Sequence, residues 1–433
     1  MDRVELSGLR ICSIFLFAIT HSAIADDISA KLEYQTQIEK LRSNEKVQIA
    51  LNYVETIVAR SQKDLIELTE IPAPPFQEQQ RATRFAELLK EAGLTEVTVD
   101  EVGNVIGRRP GANSERVIAY SAHLDTVFPA GTDVTVKYKD KKMYAPGIGD
   151  NTSGLVQVLG VLRGLQHAEI STKAEVLFIG NVGEEGLGDL RGVKHLFRDD
   201  AKKIDTLIAV DGGPAERIVF GGIGSHRYRV IFRGPGGHSW GAFGLANPHH
   251  ALGRAIEKFV KVAPSVTSTG EKTSYNIGRI GGGTSINSIP FESWMEVDMR
   301  SGDQSKLDEI DTAFRASVDQ ALLEENDARL RGPEMTVRVE RVGTRPAAKG
   351  NPELAVVQRA MAAVQSFSLS PELRLSSTDA NLPLSLGIPA ITMSRGGRGG
   401  NAHSPDEWWQ NIDAHVAIQI GILTLIAEAG LAD

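Results

Sequence analysis

Short apolar segments alternate along this chain with stretches of helical spacing. The strand-like segments cover residues 117–122, 174–181, 206–210 and 390–393, and the clearest helical stretches cover residues 81–92 and 155–165. Strands buried on both faces have few polar positions, which is typical of a parallel sheet covered by helices on both sides. The alternation therefore predicts an α/β fold with a mostly parallel sheet.

The pattern changes between residues 218 and 339. Residues 226–234 (HRYRVIFRG) and 293–301 (SWMEVDMRS) alternate polar and apolar side chains, as in a sheet with one exposed face. Helical spacing recurs at about residues 247–262 and 304–324. We predict a smaller α+β domain, residues 218–339, that interrupts an α/β domain formed by residues 26–217 and 340–433.

Residues 1–25 have the layout of a secretory signal peptide. Arg3 and Arg10 precede the apolar residues 11–19, and Ala23-Ile24-Ala25 supplies an A-x-A cleavage site. Nine apolar residues are too few to span a bilayer. We therefore predict cleavage after Ala25, a periplasmic or secreted mature chain, and no membrane attachment after cleavage.

Cysteine content and charge exclude several classes of function. Cys12 is the only cysteine, so the mature chain would lack thiols, and disulfides and thiolate metal ligands are excluded. The 433 residues include 47 Lys and Arg against 55 Asp and Glu, a formal net charge of −8. There is no basic stripe along the chain, which argues against a nucleic-acid partner.

Residues that can bind metal or transfer protons follow three of the apolar segments. His123 and Asp125 follow the first, Glu184 and Glu185 the second, and Asp211 the third. Ligands bind at the carboxyl edge of an open parallel sheet, and side chains two apart in a strand point the same way. Taken singly, each could instead be a structural histidine, a solvated acid or a turn residue.

Two glycine-rich stretches add a further carboxylate and a further imidazole. Asp150 lies in GIGDNTSG, where it could also cap the next helix, and His403 lies in GGRGGNAHS, where it could be an ordinary loop histidine. Carboxylates and imidazoles without sulfur favour zinc, or less often cobalt or manganese, in a site that activates water. Two metals would need a shared carboxylate between them.

The motifs SAHLDTVF, GIGDNTSG, NVGEEG, AVDGG, GPGGHSWGAFGLANP and NAHSPDE occur in this order. Together they resemble the dizinc metallopeptidase family that includes peptidase T, glutamate carboxypeptidase, acetylornithine deacetylase, succinyl-diaminopimelate desuccinylase and aminoacylase. The resemblance covers essentially the whole mature chain and is strongest to the peptidase-T-like branch. It implies a zinc-exopeptidase fold whose inserted domain acts as a lid and forms a homodimer.

The resemblance also implies a role for each site residue. Two zinc ions per subunit would be bound by His123, Asp150, Glu185, Asp211 and His403, with Asp150 between them. Asp125 would orient His123, and Glu184 would be the general base. His238 would polarise the scissile carbonyl, in many relatives from a partner subunit, unless it is a surface histidine. Asn287 and Arg300 would bind substrate, although Arg300 could instead form a salt bridge within the lid.

The reaction implied is hydrolysis of an amide bond by a water molecule that Glu184 activates. We expect a zinc-dependent exopeptidase that acts on short peptides, of the di- or tripeptidase or aminopeptidase type. A metallo-carboxypeptidase or an N-acyl-amino-acid deacylase on the same scaffold is the main alternative, and a non-catalytic binding protein is a remote one. A serine hydrolase is disfavoured because the chain has no G-x-S-x-G motif.

Overall fold

The computed structural model describes residues 29–113 and 115–432. The predicted signal peptide, residues 1–25, lies outside the described residues. The helices are α1 (Leu32–Arg42), α2 (Glu45–Thr56), α3 (Val58–Thr69), α4 (Gln79–Glu91), α5 (Ser153–His167), α6 (Arg191–Leu196), α7 (Pro248–Val262), α8 (Pro264–Thr267), α9 (Gln304–Ala328), α10 (Ala355–Gln365), α11 (Asn381–Ser385) and α12 (Ala414–Ala429).

The strands of the described residues form four sheets, with eight, four, four and two strands. In chain order they are β1 (Glu96–Val99), β2 (Val105–Arg109), β3 (Val117–His123), β4 (Lys137–Lys139), β5 (Lys142–Tyr144), β6 (Glu175–Asn181), β7 (Thr206–Asp211), β8 (Arg217–Gly222), β9 (Gly224–Arg233), β10 (Gly237–His238), β11 (Thr273–Gly282), β12 (Ser288–Ile289), β13 (Glu292–Ser301), β14 (Thr336–Arg345), β15 (Glu372–Ser376), β16 (Ala390–Ser394), β17 (Arg398–Gly400) and β18 (Trp408–Gln410).

The larger sheet has eight strands in the order β1-β2-β6-β3-β7-β16-β8-β15. Its centre is parallel, because β3 pairs in parallel with both β6 and β7, and β16 pairs in parallel with β7. Antiparallel pairs occur at β1–β2, β2–β6 and β16–β8. The predicted α/β fold with a mostly parallel sheet is confirmed.

Strand β3 illustrates why the central segments are apolar at nearly every position. Its residues Ile118 and Tyr120 belong to a buried cluster that includes residues of α5 and α12. The alternating residues Val117 and Ala119 belong to a separate cluster on the opposite face of the sheet. Side chains alternate across a strand, so a strand covered on both faces must be apolar throughout.

A second sheet, of strand order β11-β13-β9-β14, is antiparallel throughout. Tyr228, Val230 and Phe232 of β9 are buried in a core that also takes residues from α7 and α9, whereas Arg229 and Arg233 point away from that core and pair with acids of β13. We call this unit, residues 224–345, the lid. Residue 218 lies in β8, a strand of the larger sheet, and the predicted domain limits of 218 and 339 stay a prediction.

Strand ends from both sheets meet at one place. In the larger sheet, His123 is in register with Asn181, and Asp211 is the last residue of β7. In the lid, Ser225 is in register with Arg300 on one side and with Arg345 on the other. The cleft between these ends contains the candidate site. Among the described residues, no helix is both long and apolar enough to span a bilayer.

Candidate active site

His123 ends β3 and is almost wholly buried. Its Nδ1 lies 3.0 Å from the backbone oxygen of Asp125, and a carbonyl can only accept, so Nδ1 donates. Its Nε2 lies 3.2 Å from Asp150 Oδ1 and 3.8 Å from Asp211 Oδ1. Although burial lowers the pKa of His123, the carboxylates around it raise that pKa well above its usual value.

The Asp150 carboxylate lies between two histidines. Its Oδ1 is 3.2 Å from His123 Nε2, and its Oδ2 is 3.1 Å from His403 Nε2. Asp150 does not cap the following helix, because α5 begins after Thr152 and receives no side-chain cap. The two oxygens therefore point to separate imidazoles, as expected of a carboxylate shared by two cations.

His403 connects Asp150 to Glu185. Its Nε2 lies 2.9 Å from Glu185 Oε1 as well as 3.1 Å from Asp150 Oδ2. Hydrogen bonds to these two carboxylates raise the pKa of His403 to about 10. Burial raises the pKa of Glu185, while the hydrogen bond from His403 opposes that shift.

Asp125 holds the backbone of both glutamates. Its Oδ1 accepts from the N–H of Glu184 at 3.0 Å, and its Oδ2 accepts from the N–H of Glu185 at 2.7 Å. Burial would raise the pKa of Asp125, but His123 and these two N–H groups keep it below its usual value. The carboxylate is 3.7 Å from His123 Nδ1, so the nearer contact of Asp125 with His123 is through its backbone oxygen.

Glu184 points to a different partner from its neighbour. Its Oε1 accepts from Nη1 of Arg345 at 2.7 Å, and Arg345 Nη2 donates to the Glu184 backbone oxygen. Burial raises the pKa of Glu184 well above its usual value; the charge of Arg345 opposes that shift and the charge of Glu185 adds to it. Arg345, which its position before Pro346 in the sequence made only a weak candidate for substrate binding, is therefore a site residue.

The described residues fit a metal centre. One ligand atom each from His123, Asp150 and Glu185 lie within 4.8 Å of one another. The buried atoms His123 Nε2 and Asp150 Oδ1 have no hydrogen-bond partner among the described residues, which is costly unless a cation satisfies them. Nitrogen and oxygen donors without sulfur suit zinc. Asp211 and His403 lie at either end of this group.

The loop that carries Asp150 is held by a second pair of charged residues. Glu407 Oε1 accepts from the N–H groups of Gly149 and Asp150 at 2.8 and 2.7 Å, and its Oε2 accepts from Gly147 at 2.8 Å. Arg395 Nε donates to the Gly149 oxygen at 2.5 Å. Burial raises the pKa of Glu407 to about 7. Sequence reasoning missed both residues, although Glu407 ends the motif NAHSPDE.

A further buried carboxylate lies beside the centre. The side-chain amide of Asn181, two residues before Gly183, donates to Asp379 Oδ2 at 2.8 Å. Burial raises the pKa of Asp379 to about 6, against the charge of His123. The polar stretch that follows β15 is the only sequence signal that could have indicated it.

The cleft above the centre has a volume of about 480 Å³. Six of the predicted site residues line it: Asp150, Glu184, Glu185, Asp211, Arg300 and His403. His123 and Asp125 are buried beneath these residues.

His238 and Asn287 are not among the described residues that line this cleft. His238 lies exposed on the β10–β12 pair, where its partner in register is Ser288. Its Nδ1 accepts from the N–H groups of Trp240 and Gly241 at 3.2 and 3.3 Å. Asn287 lies beside it, and its backbone oxygen accepts from Ser239.

A model of peptidase family M20/M25/M40 matches residues 119–429. The chain belongs to this family. The matched span begins inside β3 and contains all five predicted metal ligands together with Glu184. Membership of this family supports the sequence-based prediction of a metal-dependent hydrolase.

Individual relatives agree with the family assignment. Carboxypeptidase G2 of Pseudomonas sp. (strain RS-16) is 24% identical over 268 residues, which cover 60% of this chain and 61% of that protein. The matched part of this chain thus spans less than two thirds of the length of the carboxypeptidase.

Two solved structures share the fold over most of this M20 chain. The aminopeptidase PepT from Bacillus cereus has a TM-score of 0.68 at 23% identity, covering 85% of this chain and 98% of that one. A tripeptidase from Staphylococcus aureus has a TM-score of 0.67 at 22% identity, covering 86% and 98%. At this level of identity the likeness establishes the fold alone.

Proposed function

We propose that this M20-family hydrolase is a zinc-dependent exopeptidase that cleaves short peptides, of the di- or tripeptidase or aminopeptidase type. The observation that carries the proposal is the position of the Asp150 carboxylate between His123 and His403, next to a glutamate outside the ligand group. The two structural neighbours, an aminopeptidase and a tripeptidase, support the substrate class.

Five residues would hold two zinc ions in this proposal. His123 and Asp211 would hold one ion, Glu185 and His403 would hold the other, and Asp150 would serve both. Bound zinc polarises a carbonyl and lowers the pKa of water. Asp125 keeps the His123 ring in place through its backbone oxygen and the Glu184–Glu185 backbone through its carboxylate, so the ligand directions depend on one buried residue.

Glu184 would take the proton of the attacking water. Arg345 engages Oε1, which leaves Oε2 as the oxygen that can accept a proton at the cleft. A raised pKa suits a carboxylate that first accepts a proton and then returns it to the leaving amine. Arg345 would act as a positioning residue, because it fixes the side chain and the backbone oxygen of Glu184 together.

His238 would donate a hydrogen bond to the substrate oxygen as charge develops on it. Backbone N–H groups donate to its Nδ1, so the neutral ring carries its hydrogen on Nε2. In the present subunit His238 is exposed and is not among the described residues that line the cleft. We therefore assign the donor to the cleft of a second copy of the chain.

Exposed apolar side chains around His238 support a homodimer. Trp240 is 88% exposed and Phe243 is 74% exposed, and Ile286 and Leu330 are likewise exposed in the same part of the lid. Contiguous exposed apolar groups mark interaction surfaces. In this arrangement Asn287, beside His238, would contact substrate in the partner's cleft, whereas Arg300 would contact substrate in its own.

The decisive experiment compares short peptides with free and blocked ends on zinc-loaded protein. We expect peptides with a free amino end to be cleaved, N-acetylated peptides to be resistant, and a chelator to abolish the rate until zinc is restored. Cleavage of N-blocked substrates only would favour the carboxypeptidase or deacylase alternative. No cleavage by protein with full metal content would favour a binding protein.

A further inference from the structure

The cleft is rich in arginine although the chain as a whole carries a formal net charge of −8. Four acids line it, and all four are already assigned to metal binding or proton transfer: Asp150, Glu184, Glu185 and Asp211. The arginines that line it come from both sheets and their loops: Arg217, Arg227, Arg300, Arg345, Arg395 and Arg398. The cleft therefore has a surplus of positive charge that its own acids do not balance once they bind cations.

Two of these arginines are committed to the structure of the site. Arg345 is bound to Glu184 at 2.7 Å. Arg395 is almost wholly buried and donates to the backbone oxygens of Gly149, Gly213 and Gly396. On the lid side, Arg227 and Arg300 share the carboxylate of Asp298, at 3.0 and 2.7 Å.

Arg217 lies on the opposite side of the cleft and is held in place without a carboxylate. It is the first residue of β8, and its Nη1 donates to the Gly212 oxygen at 2.5 Å. The side chain lies across Gly213, where an added Cβ would come within 2.9 Å of Arg217 Cδ. Among the described residues no acid pairs with Arg217, and the Gly212 bond uses one of its five N–H donors.

Arg398 is placed by a strand rather than by a loose loop. It lies in β17, in register with Gln410 of β18. The next position leaves little room for a side chain, because a Cβ on Gly399 would lie 2.4 Å from Arg395 Nη2. The guanidinium is 3.9 Å from Glu216, beyond hydrogen-bond distance, and the side chain is 59% exposed.

We propose that the preferred substrates are short peptides with an acidic side chain, whose carboxylate Arg217 and Arg398 bind. This inference rests on the proposed function and narrows its substrate class. A guanidinium matches a carboxylate in two-pronged geometry, and such charge-assisted pairs are strong in a partly enclosed site. The peptide's terminal carboxylate is left to Arg300, on the lid side of the metal ligands.

The first test uses alanine tripeptides with Asp or Asn at each position, because these two side chains match in size and differ in charge. On zinc-loaded wild-type protein, kcat/KM for the best Asp peptide should exceed that of its Asn counterpart by about tenfold to a hundredfold. Arg217→Gln and Arg398→Gln should each lose most of that preference through a higher KM for the Asp peptide. Arg338→Gln, an exposed arginine of β14 that pairs with Glu340, is the matched control and should keep it.

The second test separates binding from cleavage. Analogues of the same tripeptides with CH₂–NH in place of each amide are titrated into zinc-loaded protein by calorimetry. Tighter binding of the Asp analogue to the wild-type protein, with loss of that preference in Arg398→Gln, supports the proposed site for an acidic side chain. If the analogues bind in this way but no peptide is cleaved, only the proposed exopeptidase activity fails. Equal binding of the Asp and Asn analogues, or an unchanged preference in both arginine variants, overturns the inference. Arg398 is mostly exposed, so its substitution does not threaten folding.

Discussion

Glu184 and Glu185 are neighbours in sequence and have different surroundings in the site. Their N–H groups donate to the two oxygens of one carboxylate, Asp125. Their side chains then diverge, because Glu184 contacts Arg345 and Glu185 contacts His403. A single buried aspartate thus sets the starting direction of a base and of a ligand.

Amide substitutions of the two glutamates should separate these roles. Glu184→Gln should lower turnover by about a hundredfold to ten-thousandfold, the usual contribution of a general base, while metal content stays at the wild-type value. Glu185→Gln should lose metal, because an amide is a poorer ligand than a carboxylate. Metal analysis alongside rate measurement on both variants checks this, and loss of metal in Glu184→Gln would show that the two roles are reversed.

The ends of apolar strands made several of the site residues predictable from the sequence. His123 and Asp211 end apolar strands and the two glutamates follow another, so their convergence follows from parallel pairing. Arg217 and Arg398 have no such signal. Both line the cleft, but neither hydrophobic periodicity nor motif spacing indicates where β8 and β17 place them.

At the scale of elements, the segment between β5 and α5 depends on a distant part of the chain. Glu407, which lies just before β18, accepts three N–H groups from residues 147–150. Arg395, just after β16, donates to the same segment. The position of the Asp150 carboxylate is therefore fixed from the carboxyl-terminal part of the larger domain. The sequence predicted the helix after Asp150 and not this long-range support.

Glu407→Gln should weaken metal binding without removing any ligand. The carboxamide presents an NH₂ group to backbone N–H donors, so at least one of the three hydrogen bonds is lost and Asp150 is held less firmly. Residues that hold a metal ligand in place contribute about tenfold to a hundredfold in metal affinity. Competition with a chromogenic chelator measures the dissociation constant. Glu353→Gln, which changes an exposed acid paired with Lys31, is the control. An unchanged affinity in Glu407→Gln would count against this role.

At the scale of the whole molecule, the lid is joined to the loop after β6. The N–H of Thr344 donates to Asp189 at 2.8 Å, and Lys194 donates to the Thr344 oxygen at 3.0 Å. The next residue of the lid, Arg345, forms the ion pair with Glu184. The alternation of strands and helices predicted the larger fold because that pattern is local. The lid's position against the active site was not predictable, because it rests on these few polar contacts between distant segments.

Export is a prediction about the whole chain. The mature protein should begin at Asp26, because Ala25 completes the A-x-A site. Amino-terminal sequencing of protein taken from the producing cell checks this, with an Ala25→Leu variant as a processing-defective control. A chain that starts at Met1 and stays in the cytoplasm would refute the prediction.

The last prediction concerns cooperation between two copies. His238 is not a ligand, so His238→Ala should keep full metal content. It should lose about a hundredfold to a thousandfold in kcat, the contribution of one oxyanion donor.

If the donor acts on the partner's substrate, mixing His238→Ala with Glu184→Gln should restore activity in exchanged dimers. One cleft then combines an intact base from one copy with an intact histidine from the other. Recovery should approach one competent cleft per mixed dimer, and mixing either variant with itself should give none. Subunit exchange is verified independently with differently tagged chains. No recovery despite verified exchange would mean that the histidine acts within its own chain or has no part in the reaction.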